Sequence, residues 1–114
     1  MSADEPGADE LDAAIIALEA IAERVAGSRH RFDDSSDRQL ALVLLWVNVG
    51  SQLKQYCRKR SIPGGTEPFA GPIRMRDKLV YGSLPDLRAS IVWDTCIRDG
   101  PDLQVLLRDL RATL

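Results

Sequence analysis

Histidine occurs once in these 114 residues, at His30, and cysteine only twice, at Cys57 and Cys96. A single histidine excludes chemistry that needs two from one chain. Two cysteines are too few for a disulfide framework or a cysteine-rich zinc site. Long apolar runs are also lacking. The densest, Leu40 to Val49, falls well short of the ~18 residues that a membrane span requires. Bases are absent from Met1 to Asp12, which carries five acids, so this end resembles neither a signal peptide nor a transit peptide. Reduced thiols without an export signal lead us to expect a cytoplasmic protein with no membrane association.

What is present is ordinary for a globular domain that buries a core: 45% hydrophobic and 28% charged residues. A chain of this length makes one domain and buries somewhat over ~60% of its unfolded surface. The net charge of −2 is unevenly spread. Beyond residue 12 there are twelve acids and fifteen bases, and twelve of the fifteen bases are arginine. Arginine suits bidentate phosphate contact, a mild pointer to an anionic partner. Genome base composition enriches arginine and alanine equally well.

Residues 1–8 read as a flexible acidic tail and residues 9–114 as the folded domain. Asp9 is placed to cap a first helix reaching about Ala26, with Leu11, Ile15, Leu18, Ala22 and Val25 as its apolar stripe. Gly27 would end that helix. Ser36 and Gln39 have capping-box spacing, so a second helix should run from Ser36 to about Arg60. It is apolar nearly all round from Leu40 to Val49, as a helix buried on several sides would be. Gly50 and Ser51 in its middle would let a neighbouring backbone come close. The loop Ser61–Gly71 is rich in proline and glycine, and Pro72 should open a third helix over 72–82. Leu84-Pro85-Asp86 would break it, with a fourth helix over 87–98 capped by Asp86. Gly100-Pro101 punctuates before a last helix over 101–113. No stretch reads as a strand. The fold expected is all-α, an up-and-down bundle of four to five helices in a single domain.

The third helix is the most polar and best mixed. Arg74, Lys78 and Tyr81 fall on one strip, with Asp77 one turn before Tyr81. Arg76 and Tyr81 are five apart and diverge by about 140°, so they would share a ligand only in a groove wrapping the helix end. A solvated helix face is the plainer reading of the same residues.

From about Leu11 onward the chain resembles the HepT-like branch of the HEPN superfamily, ribonuclease toxins paired with minimal nucleotidyltransferase antitoxins. The residues that carry the resemblance are Met75-Arg76-Asp77-Lys78-Leu79-Val80, Ile91-Val92-Trp93-Asp94-Thr95 and the leucine-rich ending Pro101 to Leu114. The resemblance implies a HEPN-like helical bundle that forms a homodimer. Two copies of an Arg-x4-6-His motif would then face one cleft and hydrolyse RNA as a metal-independent nuclease, with no cofactor. A histidine there takes the 2′-hydroxyl proton, and the arginine stabilises charge growing on the phosphorane oxygens. In the family pattern a tyrosine two residues after the histidine is modified with AMP by the partner transferase.

Arg76 and Asp77 match this pattern, but Tyr81 stands at the histidine position and Ser83 at the tyrosine position. A phenol with a pKa near ~10 is protonated at neutral pH and makes a poor general base. The resemblance therefore implies a ribonuclease scaffold with impaired catalysis, or an inactive module that binds RNA or a nucleotidyltransferase. Arg76, Tyr81 and Asp77 are the catalytic candidates, Arg74 and Lys78 the RNA-binding ones, and Tyr81 and Ser83 the modification candidates. His30, between Arg29 and Arg31, is a weaker candidate for phosphate contact or as a substitute base. Lys54, Arg58, Lys59 and Arg60 suit either a phosphate patch or the dipole of a helix C-terminus. Trp46 and Trp93 read as core or dimer interface, Cys57 and Cys96 as inert buried thiols, and Asp33, Asp34 and Asp37 as linker and capping acids.

Overall fold

Apolar residues at helical spacing dominate the chain, and helices are what they form. The computed structural model describes the backbone of residues 5–26, 36–81 and 89–114, and their side chains apart from 36–38 and 89–91. Among the described residues there is no strand. The helices are α1 (Ala8–Val25), α2 (Ser36–Lys59), α3 (Ala70–Tyr81), α4 (Ala89–Asp94) and α5 (Gly100–Ala112), with a π turn, Thr95–Asp99, joining the last two. The fold is an all-α helical bundle. No described helix is long and apolar enough to cross a membrane.

Ion pairs and close contacts set the directions. Glu5 pairs with Arg60 (3.4 Å), Glu10 pairs with Lys59, and Gly7 lies against the Tyr56 ring. These tie the start of α1 to the end of α2, so the two are antiparallel. Asp12–Arg111 (2.7 Å) and Glu19–Arg108 (2.9 Å) make α1 and α5 antiparallel in the same way. Gly50 against Pro72 and Arg76 runs α3 back along α2. The topology is up, down, up, down. Leu11, Leu18 and Ile21 of α1, Leu42, Trp46, Val49 and Leu53 of α2, and Leu107 of α5 form the centre of the core.

Several boundaries differ from the sequence reading. Gly7, not Asp9, is the N-cap of α1, with φ at 85°, and Asp9 sits in the first turn. An added Cβ on Gly7 would lie 2.6 Å from Tyr56 Cδ1, so only glycine makes this entry. Glu5 to Ala8 are accordingly held against the bundle, and Ala8 is buried. The buried stripe of α1 is also rotated: Ala14, Ala17 and Ile21 are inside, whereas Ala22 is exposed. α3 begins at Ala70, because the turn at Thr66 accepts the Phe69 and Ala70 amides (both 3.0 Å) and starts the winding early. Pro72 is then the third helical residue, still among the amides with no intrahelical acceptor. Gly100-Pro101 does not break the chain into separate helices. The Gly100 amide reaches back five residues to the Thr95 carbonyl, and this wider turn carries the helix through a proline that lacks an N–H. The Gly27 terminus, the Ser36 capping box and the Leu84-Pro85-Asp86 break lie outside the described residues or side chains.

α2 is less enclosed than its composition suggests. Leu42, Trp46 and Val49 are buried, but Leu40 and Leu44 are 53% and 60% exposed. Leu40 and Leu44 are one turn apart, so the N-terminal half of α2 has an exposed apolar side.

Candidate functional site

Gly50 decides where Arg76 sits. A Cβ there would lie 2.2 Å from Arg76 Cβ and 2.8 Å from the Pro72 carbonyl oxygen, so α3 presses directly on the α2 backbone at this point. The close approach anticipated for Gly50-Ser51 is made by α3. With its stem clamped, the Arg76 side chain is mostly covered, and its Nε donates to Ser51 Oγ at 3.1 Å. Nη1 donates to Asp77 Oδ1 at 2.9 Å. The guanidinium carbon lies 5.8 Å from the centre of the Tyr81 ring, within cation–π range. Asp77 first, and Tyr81 second, hold the Arg76 pKa above its ordinary value. It is a fixed cation, oriented on three sides.

Helical geometry alone separates Arg76 and Tyr81 by about 140°. The structure nevertheless brings them together, because Arg76 is long and Tyr81 is the last residue of α3. Tyr81 is 78% exposed, so its other face is open to a ligand or a partner. Ser51 was not foreseen as the arginine's partner. Its only signal was a polar residue beside glycine inside an apolar run.

Arg74 and Lys78 are elsewhere. They lie about 200° around α3 from Arg76 and line a cleft of about 490 Å³ between α3 and α5, floored by Trp46, Met75 and Leu103. Tyr81 does not line it, so the predicted strip of Arg74, Lys78 and Tyr81 is split between two surfaces. Asp99 and Asp102 face this cleft too, and their charge opposes an anionic occupant. The structure does not bring Arg74 and Lys78 to Arg76.

The basic end of α2 is divided as well. Lys59 and Arg60 pair with Glu10 and Glu5 and fasten α1, so they hold the fold. Lys54 and Arg58 remain, and both line a second cleft beside the 60–69 loop. His30, Arg29, Arg31, Ser83, Asp33 and Asp34 lie outside the described residues, as does the Asp37 side chain. Trp46 and Trp93 are buried in the core. The Trp46 indole N–H donates to Cys96 Sγ at 2.9 Å. Burial pushes the Cys57 thiol up and the Cys96 thiol to about 11, so neither is a nucleophile at neutral pH.

No family model matches the chain, and no curated protein or solved structure is significantly similar to it. The chemistry of the side chains is what separates the functional readings.

Proposed function

We propose that the chain is a HepT-like HEPN protein, the toxin member of a toxin–antitoxin pair with a minimal nucleotidyltransferase, acting in the cytoplasm as a homodimer. Its scaffold is that of a metal-independent RNA endonuclease, with catalysis impaired by Tyr81. The observation that carries this reading is the Arg76 guanidinium, oriented by Ser51 and Asp77 and set against an exposed Tyr81 at the end of α3. Such an arginine binds a phosphate diester through charge-assisted hydrogen bonds with its remaining N–H groups. Asp77 positions it. Tyr81 takes the acid–base place, where a phenol offers a donor or a stacking surface to RNA and makes a poor general base.

Replacing the phenol tests this. Tyr81→His is expected to confer RNA cleavage and toxicity, and Arg76→Ala in the same protein is expected to abolish both. Tyr81→Ser should leave the parent's activity no lower. A Tyr81→His protein that is folded, dimeric and RNA-binding yet cleaves nothing removes the ribonuclease reading.

A second reading is an inactive HEPN module that binds RNA or the transferase partner. It is favoured by Tyr81 itself lying over Arg76, where it occupies one face of the guanidinium. Co-expression with a minimal nucleotidyltransferase, followed by intact mass measurement, tests it. The two should co-purify, and a gain of one AMP would mark a modified residue. An unchanged mass without co-purification counts against that partner.

A further inference from the structure

Six of the described basic side chains are held in ion pairs, and five, Arg24, Lys54, Arg58, Arg74 and Lys78, are not. Lys59, Arg60, Arg76, Arg98, Arg108 and Arg111 each pair with a carboxylate. Lys54, Arg58 and Arg74 make no ion pair with a described residue, and all three line one cleft of about 460 Å³ between α2, the 60–69 loop and α3, Arg74 standing on the edge it shares with the α3–α5 cleft. No acid lines it. We propose that this cleft binds an organic phosphate, a phosphomonoester carried on a flat or apolar body of about nucleotide size.

Bringing three cations to one cleft is unfavourable without a counter-charge, and Lys54 and Arg58, one turn apart on α2, repel each other directly. The helix dipole accounts for only part of the arrangement. Lys54 and Arg58 lie towards the C-terminus of α2, where cations are favoured, but Lys59 and Arg60 already occupy that end. Arg74 is the fifth residue of α3, near the end where the dipole disfavours a cation. A bound dianion would balance Lys54 and Arg58, with Arg74 reaching it from the shared edge. A phosphomonoester carries about −1.5 to −2 at neutral pH. A single carboxylate would leave more of this charge unbalanced.

The floor of the cleft is apolar. Ile62, Phe69 and Ile73 line the cleft below the cations. A bare inorganic ion would leave that apolar surface wet, whereas an apolar body would cover it. The volume lies within the usual range of ~300–1,000 Å³ for small-molecule sites. Gly64 and Gly65 also line the cleft, and a Cβ added at either would meet nothing within 4 Å, so the rim there is open to entry. Arg76 lies around α3 from Arg74 and contributes nothing, so the inference is independent of the ribonuclease reading.

Titration calorimetry of the full chain with uridine monophosphate, uridine and inorganic phosphate tests the proposal. Uridine monophosphate should bind saturably and one to one, more weakly as salt rises. Inorganic phosphate and uridine should each bind at least about tenfold more weakly. Lys54→Ala and Arg58→Ala, both exposed side chains whose loss leaves the core intact, should each weaken binding about tenfold. Arg98→Ala, which does not line the cleft, should leave it unchanged. Four outcomes overturn the proposal: no saturable binding of the nucleotide, binding indifferent to Lys54→Ala and Arg58→Ala, phosphate as tight as the nucleotide, or uridine as tight. A folded Arg76→Ala protein that still binds the nucleotide separates this site from the RNA site, whatever becomes of the latter.

Discussion

Gly50 and Cys96 show how single residues are committed by their neighbours. Adding a methyl at Gly50 forces α3 away, because one of the atoms it meets is the Pro72 carbonyl oxygen and cannot rotate aside. Gly50→Ala should therefore cost about 1–3 kcal/mol of stability, read by urea denaturation. Any RNA binding that depends on Arg76 should fall with it, since the arginine's stem rests on this glycine. Cys96 makes a prediction in pH. Burial, opposed only in part by the Trp46 N–H, raises its folded-state pKa from about 9 to about 11. The neutral thiol is the folded form, so its contribution to stability is complete below about pH 9 and is lost as pH rises towards 11. Thermal melts across that range should show a smaller alkaline loss in Cys96→Ala than in the parent, whatever the variant's stability at pH 7.

At the level of elements, the continuous helix from Ala89 to Ala112 is the main departure from what local signals suggest. Glycine followed by proline is usually a stop, and here the π turn absorbs both. Gly100 lies in ordinary right-handed helical conformation, and a Cβ there would meet only Trp46 Cζ2, at 3.9 Å. Gly100→Ala should accordingly raise stability by about 0.4–1 kcal/mol, by narrowing the unfolded chain's freedom. It is the counterpart of Gly50→Ala: the same chemical change, of opposite sign, decided by what faces each position. A denaturation midpoint that falls in Gly100→Ala would mean that the π turn itself requires glycine.

Several large apolar side chains of the described residues are exposed, and one group of them spans α2 and α3. Leu40 and Leu44 of α2 are exposed, and antiparallel packing places the exposed Val80 and Tyr81 of α3 alongside that half of α2. A second copy seated there would cover the patch and bring two Arg76–Tyr81 pairs near one another, as the proposed function needs. Sedimentation velocity should find a dimer at micromolar concentration. Leu44→Glu should shift it to monomer while helical content is retained, because seating a charge in an apolar interface carries a desolvation cost. A parent protein that sediments as a monomer would sink the homodimer proposal.

The all-α class, the order of the elements and most of their extents were legible in the residues, because helical period and turn chemistry are local properties. The need for a close backbone at Gly50-Ser51 was legible for the same reason. Tertiary packing alone decided the rest. It showed which of the many bases are tied to carboxylates across the bundle and which are left around a cleft. It gave Arg76 its contact with Tyr81, which spacing on a single helix argues against. It carried the C-terminal helix through Gly100-Pro101. The scarcity of histidine limits the catalysis open to the chain, but it does not determine what holds Arg76. That depends on contacts between residues 25 positions apart, Ser51 and Arg76, which only the packing of α3 on α2 brings together.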